Sequence, residues 1–465
     1  MNEDFSAGVA LRDITPNPDI VDNALHCAMT VRFDERGSPL LAKALALSFQ
    51  GRTRLLVALD LAYMLTPAAT MTRKAIADAT CVEFDDVVLS CSHSHSTPFV
   101  EPLDGPHPFL DLILRQSVEA AREAVGRQQA ARFGHGVTYA VGNSFNTRVP
   151  LPDGGVKFTR DFREGLASGR PVDPRLSVIR IDGAHGKPIA GWIRFAAHPA
   201  NVIFDAPISA EYPGYMTERL SETIEGSPPI LFGYGASGDV NCAPMFGSES
   251  DSQELGYRLA ELAGGVFASI ETHTPHRLLS GTADVELPLD APPSVETLDR
   301  EIEEVEQFIA GLEHDPDLVC VLGFNCASHW PVEKKRDSVK PLAEWARKVK
   351  ARLAAGERFP ATWTRRVTAW VIDDLGLVFD QGETFTETSL ELSWRSPLGE
   401  TLLMSLANGG DGYMGTDAER RRGGYGTHLS PRYALLTEGL RPMPYALGAA
   451  GSYIDQIVRL IGDTK

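Results

Sequence analysis

Along this chain, short continuous apolar runs alternate with segments whose apolar positions recur every three to four residues. "SVETLDREIEEVEQFIAGLEHD" (294–315) puts Val295, Leu298, Ile302, Val305 and Ile309 on one stripe, which predicts an amphipathic helix. "PLAEWARKVKARLAAG" (341–356) predicts another, closed by a glycine. Further helices are expected at 109–128, 212–224, 252–271 and 451–462. Strands are expected at "LLVALDL" (55–61), "DVVLSCS" (86–92), "IAGWIRFAA" (189–197), "PILFG" (229–233), "RVTAWVIDD" (366–374), "LGLVFD" (375–380) and "TLLMSLA" (401–407). Helices and strands alternate throughout, so the expected class is α/β or mixed α+β, a β-sheet core flanked by helices. With no internal repeat or linker, the chain reads as one large domain over 1–465 with a helical insertion at about 294–356.

The strand endings organise the rest. "VVLSCS" runs into His93-Ser-His95-Ser-Thr, "IRFAA" into His198-Pro-Ala-Asn201, and "ILFGYG" into Ala-Ser237-Gly-Asp239-Val-Asn241. "LGLVFD" gives Gln381-Gly-Glu383, and "LLMSLA" gives Asn408-Gly-Gly-Asp411-Gly-Tyr413. Ligands of sheet enzymes bind beyond the carboxyl ends of strands, so these endings suggest one composite site. In an extended segment His93 and His95 would project from the same face.

Composition narrows the function. A formal net charge of −18 argues against nucleic acid, whose phosphates demand a cationic partner. "EKKRD" (333–337) and "ERRR" (419–422) read as solvated surface, with an anion-binding role for one left open. No stretch approaches the roughly 20 apolar residues of a membrane span, and the acidic N-terminus lacks a signal core, so a cytoplasmic location is expected. The six scattered cysteines suggest reduced thiols, with Cys91 and Cys242 read as small buried hydrophobes.

Each candidate has an ordinary reading beside the functional one. His93 and His95 could begin a surface loop, and His198 could be a satisfied strand-end residue; together they suit a zinc site that draws imidazoles from separate elements. Glu383 could be a third ligand or an exposed carboxylate. Tyr413 could be a packed aromatic or a phenolate on a cation. "NTRVP" offers Arg148, a solvated cation or one that steers a carboxylate or a polarised carbonyl oxygen. "GYGASG" (233–238) matches G-x-G-x-x-G, but no helical pattern follows, so a close-packed turn placing Asp239 and Asn241 is expected instead of a dinucleotide site.

Read together, these clusters resemble the catalytic domain of the neutral/alkaline ceramidases, zinc-dependent amidases, over nearly the whole chain. "AGVALRDITP" (7–16) is similar to the family's opening segment and "SPLLAKALAL…LLVALDLAYM" (38–64) to its first core strands. "SHSHSTP" resembles S/T-H-T-H-S-G-P, and "HPANVIF…ISAEYPGY" the second histidine block. "GASGDVNCAP" resembles the G-D-V-S-P-N segment, "FDQGETFTE" P-G-E-P-F-x-E, and "GYMGT…GGYGT" the Y-V-T-T and Y-E-G-x-T pair. The resemblance implies one zinc ion per chain on His93, His198, Glu383 and Tyr413. His95 would stand beside the metal water, and Arg148 and Tyr425 would contact the substrate or its tetrahedral intermediate. Asn241 replaces the family's serine, which rules out an acyl-enzyme there, and Glu211 replaces an aspartate. The secretion signal and the C-terminal β-domain are missing, so no stable membrane association is expected.

The resulting expectation is zinc-dependent hydrolysis of an N-acyl amide of a small or acylated metabolite. His95, with a near-neutral pKa, would act as base and then acid, Tyr425 and Arg148 would stabilise the oxyanion, and Asn241 would donate a hydrogen bond. The alternatives are an esterase or lactonase for a small polar metabolite and an inactive ceramidase-like binding protein. Ligand types alone also permit manganese or iron, and a homo-oligomer is left open.

Overall fold

The computed structural model describes residues 5–17, 31–100, 107–203, 206–437 and 439–464; Cys27 and the last residue of "HPANVIF" lie outside the described residues. The larger sheet contains β1 (Phe5–Asp13), β2 (Leu41–Phe49), β3 (Arg52–Leu59), β4 (Val87–Cys91), β5 (Gln129–Tyr139), β6 (Arg175–Gly183), β7 (Pro188–Phe195) and β8 (Ile230–Tyr234). Their spatial order is β8-β7-β6-β5-β1-β2-β3-β4. Neighbours are antiparallel except at the two ends, where β3–β4 and β7–β8 run parallel. A second sheet orders β9 (Leu278–Pro288), β10 (Thr362–Ile372), β11 (Leu375–Phe379) and β12 (Glu400–Met404) in sequence, and β11–β12 is again parallel.

Each parallel pair needs a crossover, because a hairpin cannot join parallel strands. Helix α1 (Thr66–Thr80) crosses between β3 and β4, α3 (Glu211–Thr223) between β7 and β8, and a helix at Thr386–Arg395 between β11 and β12. The three crossovers send the carboxyl ends of β4, β7, β8, β11 and β12 towards one another. Bridges Ser90↔Ala407 and Gly235↔Met404 tie the two sheets together at those ends.

The layers explain the sequence pattern. Helices α1, α2 (Pro108–Gly126), α3 and α4 (Glu249–Ser269) bury Ile76, Ile113, Met216 and Leu259 against one face of the large sheet. Its other face packs on the second sheet, with Trp192 stacked on Phe379 and with Leu56, Trp370 and Leu377 alongside. Strands covered on both faces read as unbroken apolar runs, which is why β4, β7, β8, β11 and β12 were conspicuous. The outer face of the second sheet is closed by α7 (Ala449–Asp463) through Tyr453, Ile457 and Ile461.

Between the paired strands β9 and β10 the chain makes a helical excursion. It holds α5 (Val295–Gly311), a two-residue ladder of Cys320–Val321 with Phe324–Asn325, and α6 (Val332–Ala354). The buried face of α5 is Leu298, Val305 and Phe308; Val295, expected on the stripe, is exposed. Helix α6 starts at Val332 and carries Pro341 in its interior, so the segment "EKKRD" is helical. The expected solvated clusters are partly internal: Lys335 is buried and donates to Pro316 O, Glu419 is fully buried, and Arg420 is buried beside Asp290. Among the described residues no helix is long and apolar enough to cross a membrane.

Candidate metal centre

Strand β4 ends at Cys91, and His93 sits in the left-handed region at φ +67°, so strand alternation does not place the two imidazoles. A turned backbone does: the His93 and His95 rings lie 4.7 Å apart, edge to face, and His198 is 4.7 Å from His93. Holding a non-glycine residue at positive φ costs about 1–3 kcal/mol, a strain that concentrates at functional sites.

Each ring is oriented from behind. His93 Nδ1 lies 2.7 Å from Ala62 O, and His198 Nδ1 lies 2.8 Å from Ser237 O, 3.1 Å from Val240 O and 3.0 Å from the Tyr234 hydroxyl. A ring nitrogen facing carbonyl oxygens carries the proton, so the Nε2 atoms present lone pairs. Both Nε2 atoms lie 3.1 Å from Glu383 Oε2. At that distance His93 Nε2 is buried without a hydrogen-bond partner. The three ligand atoms lie within 4.8 Å of one another, all on buried residues. Lone pairs and a carboxylate oxygen facing each other away from water repel unless a cation sits among them. Two imidazoles and a carboxylate are a donor set that suits catalytic zinc, with further positions open.

Tyr413 reaches the same group. Glu383 and Tyr413 pair across a short parallel ladder, and the phenol oxygen is 3.5 Å from His198 Nε2. Fully buried Arg365 binds Asp380 Oδ2 at 3.0 Å, Asp411 Oδ2 at 2.5 Å and Gly412 O at 3.0 Å, clamping the two loops that carry Glu383 and Tyr413. Gly238 belongs to the "GYGASG" turn: a Cβ there would meet Glu383 O at 2.5 Å. After this turn the next helix starts only at Glu249, and Asp239 instead accepts from Thr386 N and Asn146 Nδ2 at 2.8 and 2.7 Å.

No protein-family model and no curated protein matches the sequence. Solved structures do, ceramidases among them. A neutral ceramidase from Pseudomonas aeruginosa aligns over 98% of this chain and 74% of its own, with 16% identity and a TM-score of 0.67. A ceramidase complexed with C2 gives 15% identity, the same coverages and the same score. The chain has the neutral ceramidase fold.

Within that ceramidase fold the remaining expected site residues separate. His95 is the half-buried imidazole of the three; its Nδ1 lies 3.0 Å from both His93 O and Pro199 O. Burial, and then the neighbouring His93 and His198, hold it down to about 3, not the near-neutral value expected from its type. Burial and then Glu383 push the Tyr425 phenol up to about 12, so it stays a hydrogen-bond donor, with its ring 5.6 Å from that of Tyr413. Asn241 bridges His198 in the backbone and donates to Met245 Sδ at 2.8 Å.

Arg148 requires a correction. Its guanidinium is buried and spent on the protein: Nε on Glu419, Nη1 on Tyr425 O at 2.5 Å, Nη2 on Gly423 O at 2.7 Å. It holds the Tyr425 loop and does not face an oxyanion. Sequence reasoning also passed over Glu211 as more than a conservative change. Its carboxyl, fully buried at φ +50°, accepts from His95 N at 2.9 Å, Ser96 Oγ at 3.0 Å and Asn201 N at 2.9 Å, joining the loops that follow β4 and β7. The five described cysteines are free, and burial pushes the Cys242 thiol up, away from a thiolate ligand.

Proposed function

We propose that this protein is a metal-dependent hydrolase of an amide bond, with one zinc ion per chain held by His93, His198 and Glu383 and approached by Tyr413. The observation that carries the reading is the convergence of two back-oriented Nε2 lone pairs on a buried carboxylate oxygen. The likeness to neutral ceramidases supports an N-acyl substrate. When bound, the cation supplies Lewis acidity, polarising a carbonyl and acidifying water to a pKa near about 7.

The side chains account for the other steps. Asn241 offers no nucleophile, so water supplies the oxygen added to the acyl carbon, and hydrolysis yields a carboxylic acid and an amine. His95, neutral and with Nδ1 tied to carbonyls, turns Nε2 outward as the proton acceptor, and returns the proton to the leaving nitrogen. The protonated Tyr425 hydroxyl donates to the developing oxyanion, and Arg148 keeps it in place through the carbonyl of the same residue. We place the enzyme in the cytoplasm, acting on a small soluble substrate without nucleic-acid or membrane partners. Stripping the protein with a chelator is expected to abolish hydrolysis of a panel of N-acyl amides, and one equivalent of zinc to restore it. Equal rates before and after stripping would contradict the proposal.

A further inference from the structure

Arg148 and Arg160 flank the same short hairpin, in which Arg148–Pro150 pairs with Val156–Phe158. Arg160 is half-buried, yet among the described residues no carboxylate forms an ion pair with it, and its one hydrogen bond is from Nη2 to Asn325 O at 3.3 Å. Its Nε is buried without a partner. Aromatic rings wall it instead: the guanidinium carbon lies 4.9 Å from the Phe158 ring centre, 5.0 Å from Trp330 and 5.6 Å from Phe246.

The cage is joined to the metal centre from two sides. Phe158 packs edge-to-face on Tyr425 at 6.0 Å, and Tyr425 on Tyr413 at 5.6 Å. Phe246 donates its amide to Ala200 O, two residues beyond His198, and follows Met245, which accepts from Asn241. Trp330 and Asn325 come from the helical excursion, so this wall is assembled separately from the metal ligands. An unpaired guanidinium in an apolar surround is costly, and cation–π contacts return only about 0.5–2 kcal/mol each. Burial pulls the Arg160 pKa down to about 10, so the group remains a cation at neutral pH, without a counter-ion among the described residues.

Resting on the hydrolase reading, we infer that Arg160 is a specificity residue that receives the carboxylate of an amide substrate, since among the described residues only Nη2 of its guanidinium has a hydrogen-bond acceptor. A planar guanidinium ringed by aromatic side chains matches a carboxylate better than a neutral head group does. The class is therefore amides bearing a carboxylate, either on the amine side, as in an N-acyl amino acid, or on the acyl side, as in a dicarboxylic acid monoamide.

Two matched pairs test this on the zinc-loaded full chain. N-acetylphenylalanine is compared with N-acetylphenethylamine, and N-phenylsuccinamic acid with N-phenylbutanamide. The wild type is expected to favour the anionic member of one pair, mainly through KM, by about 10- to 100-fold, the range of one charge-assisted hydrogen-bonded contact. That pair identifies which side bears the anion. Arg160→Met is expected to collapse the preference, Arg160→Lys to keep part of it, and neither to lower Tm, since Arg160→Met removes a half-buried charge that has no ion pair among the described residues. Equal losses on both members of the pair, a lowered Tm in Arg160→Met, or no anion preference in the wild type would overturn the assignment. If the wild type turns over none of the four amides, the hydrolase reading is what fails. Arg160 is then judged by thermal shift with N-acetylphenylalanine and N-phenylsuccinamic acid. A shift present in the wild type and lost in Arg160→Met upholds the anion site, and no shift with either overturns it.

Discussion

The two walls of the candidate site are built on opposite terms. On the metal side the supporting bonds come from behind: His93 and His198 lean on backbone carbonyls, Glu383 and Tyr413 on a ladder clamped by Arg365, and Glu211 ties two loops together. On the aromatic side Arg160 stands among rings with a single backbone acceptor. The contrast is sharpest between two arginines of one hairpin. Arg148 is satisfied by the protein and can only position its neighbours, whereas Arg160 is left with capacity for a ligand. A buried charge says little about function until its partners have been counted.

The largest expected effect lies on the metal side. His95→Ala should lower kcat by about 100- to 10,000-fold, the usual worth of a positioned acid–base group, while metal analysis finds the cation retained. Loss of the metal together with activity would make His95 a ligand, and the two neighbouring histidines would have to exchange roles. Next comes Arg148→Met, which separates the two arginines. It removes a buried ion pair that also holds the Tyr425 carbonyl, so we expect a loss of about 2–4 kcal/mol in unfolding free energy, somewhat below the range for breaking a buried pair because Arg170 and Arg422 also contact Glu419. Denaturant titration measures it. Equal stability in Arg148→Met and Arg160→Met would erase the distinction.

The smallest effect concerns pH. Burial, and then nearby Glu249, push the Glu211 carboxyl up to about 8 against the pull of its amide and hydroxyl donors. The folded chain therefore keeps this proton where the unfolded chain, with a pKa of about 4.3, has lost it. That contribution to stability is complete below the unfolded value and drains away as pH rises through about 8. Glu211→Gln, which does not titrate, should flatten this part of the decline in Tm between pH 5 and pH 9. An unchanged slope in the variant would remove Glu211 as its source.

Much of the metal side was legible in the sequence because its residues follow directly on strands buried on both faces. An unbroken apolar run such as "LGLVFD" marks its own end, and the polar cluster after it stands out. Strand β9, "LLSGTADVELP", was missed because much of it is only partly buried and it lacks such a run. The start of α6 was displaced because Pro341 resembles a helix opening and here lies inside one. The aromatic wall could not be read at all. Phe158, Phe246, Trp330 and Tyr425 come from four separate stretches, and nothing local to "KFTRDF" says that Arg160 lacks a counter-charge among the described residues while Arg148 has one. Pairing is a property of the folded chain. For the same reason "ERRR" looked like solvated surface although Glu419 and Arg420 are internal.

The central claim is that His93, His198 and Glu383 hold one divalent cation. Elemental analysis of the purified wild type and of His93→Ala, His198→Ala and Glu383→Ala, each shown to be folded by circular dichroism, tests it directly. The account predicts one equivalent of metal per chain in the wild type and less than about a tenth of that in each variant. Full metal content in folded His198→Ala, or none in a wild type supplied with zinc, would contradict it.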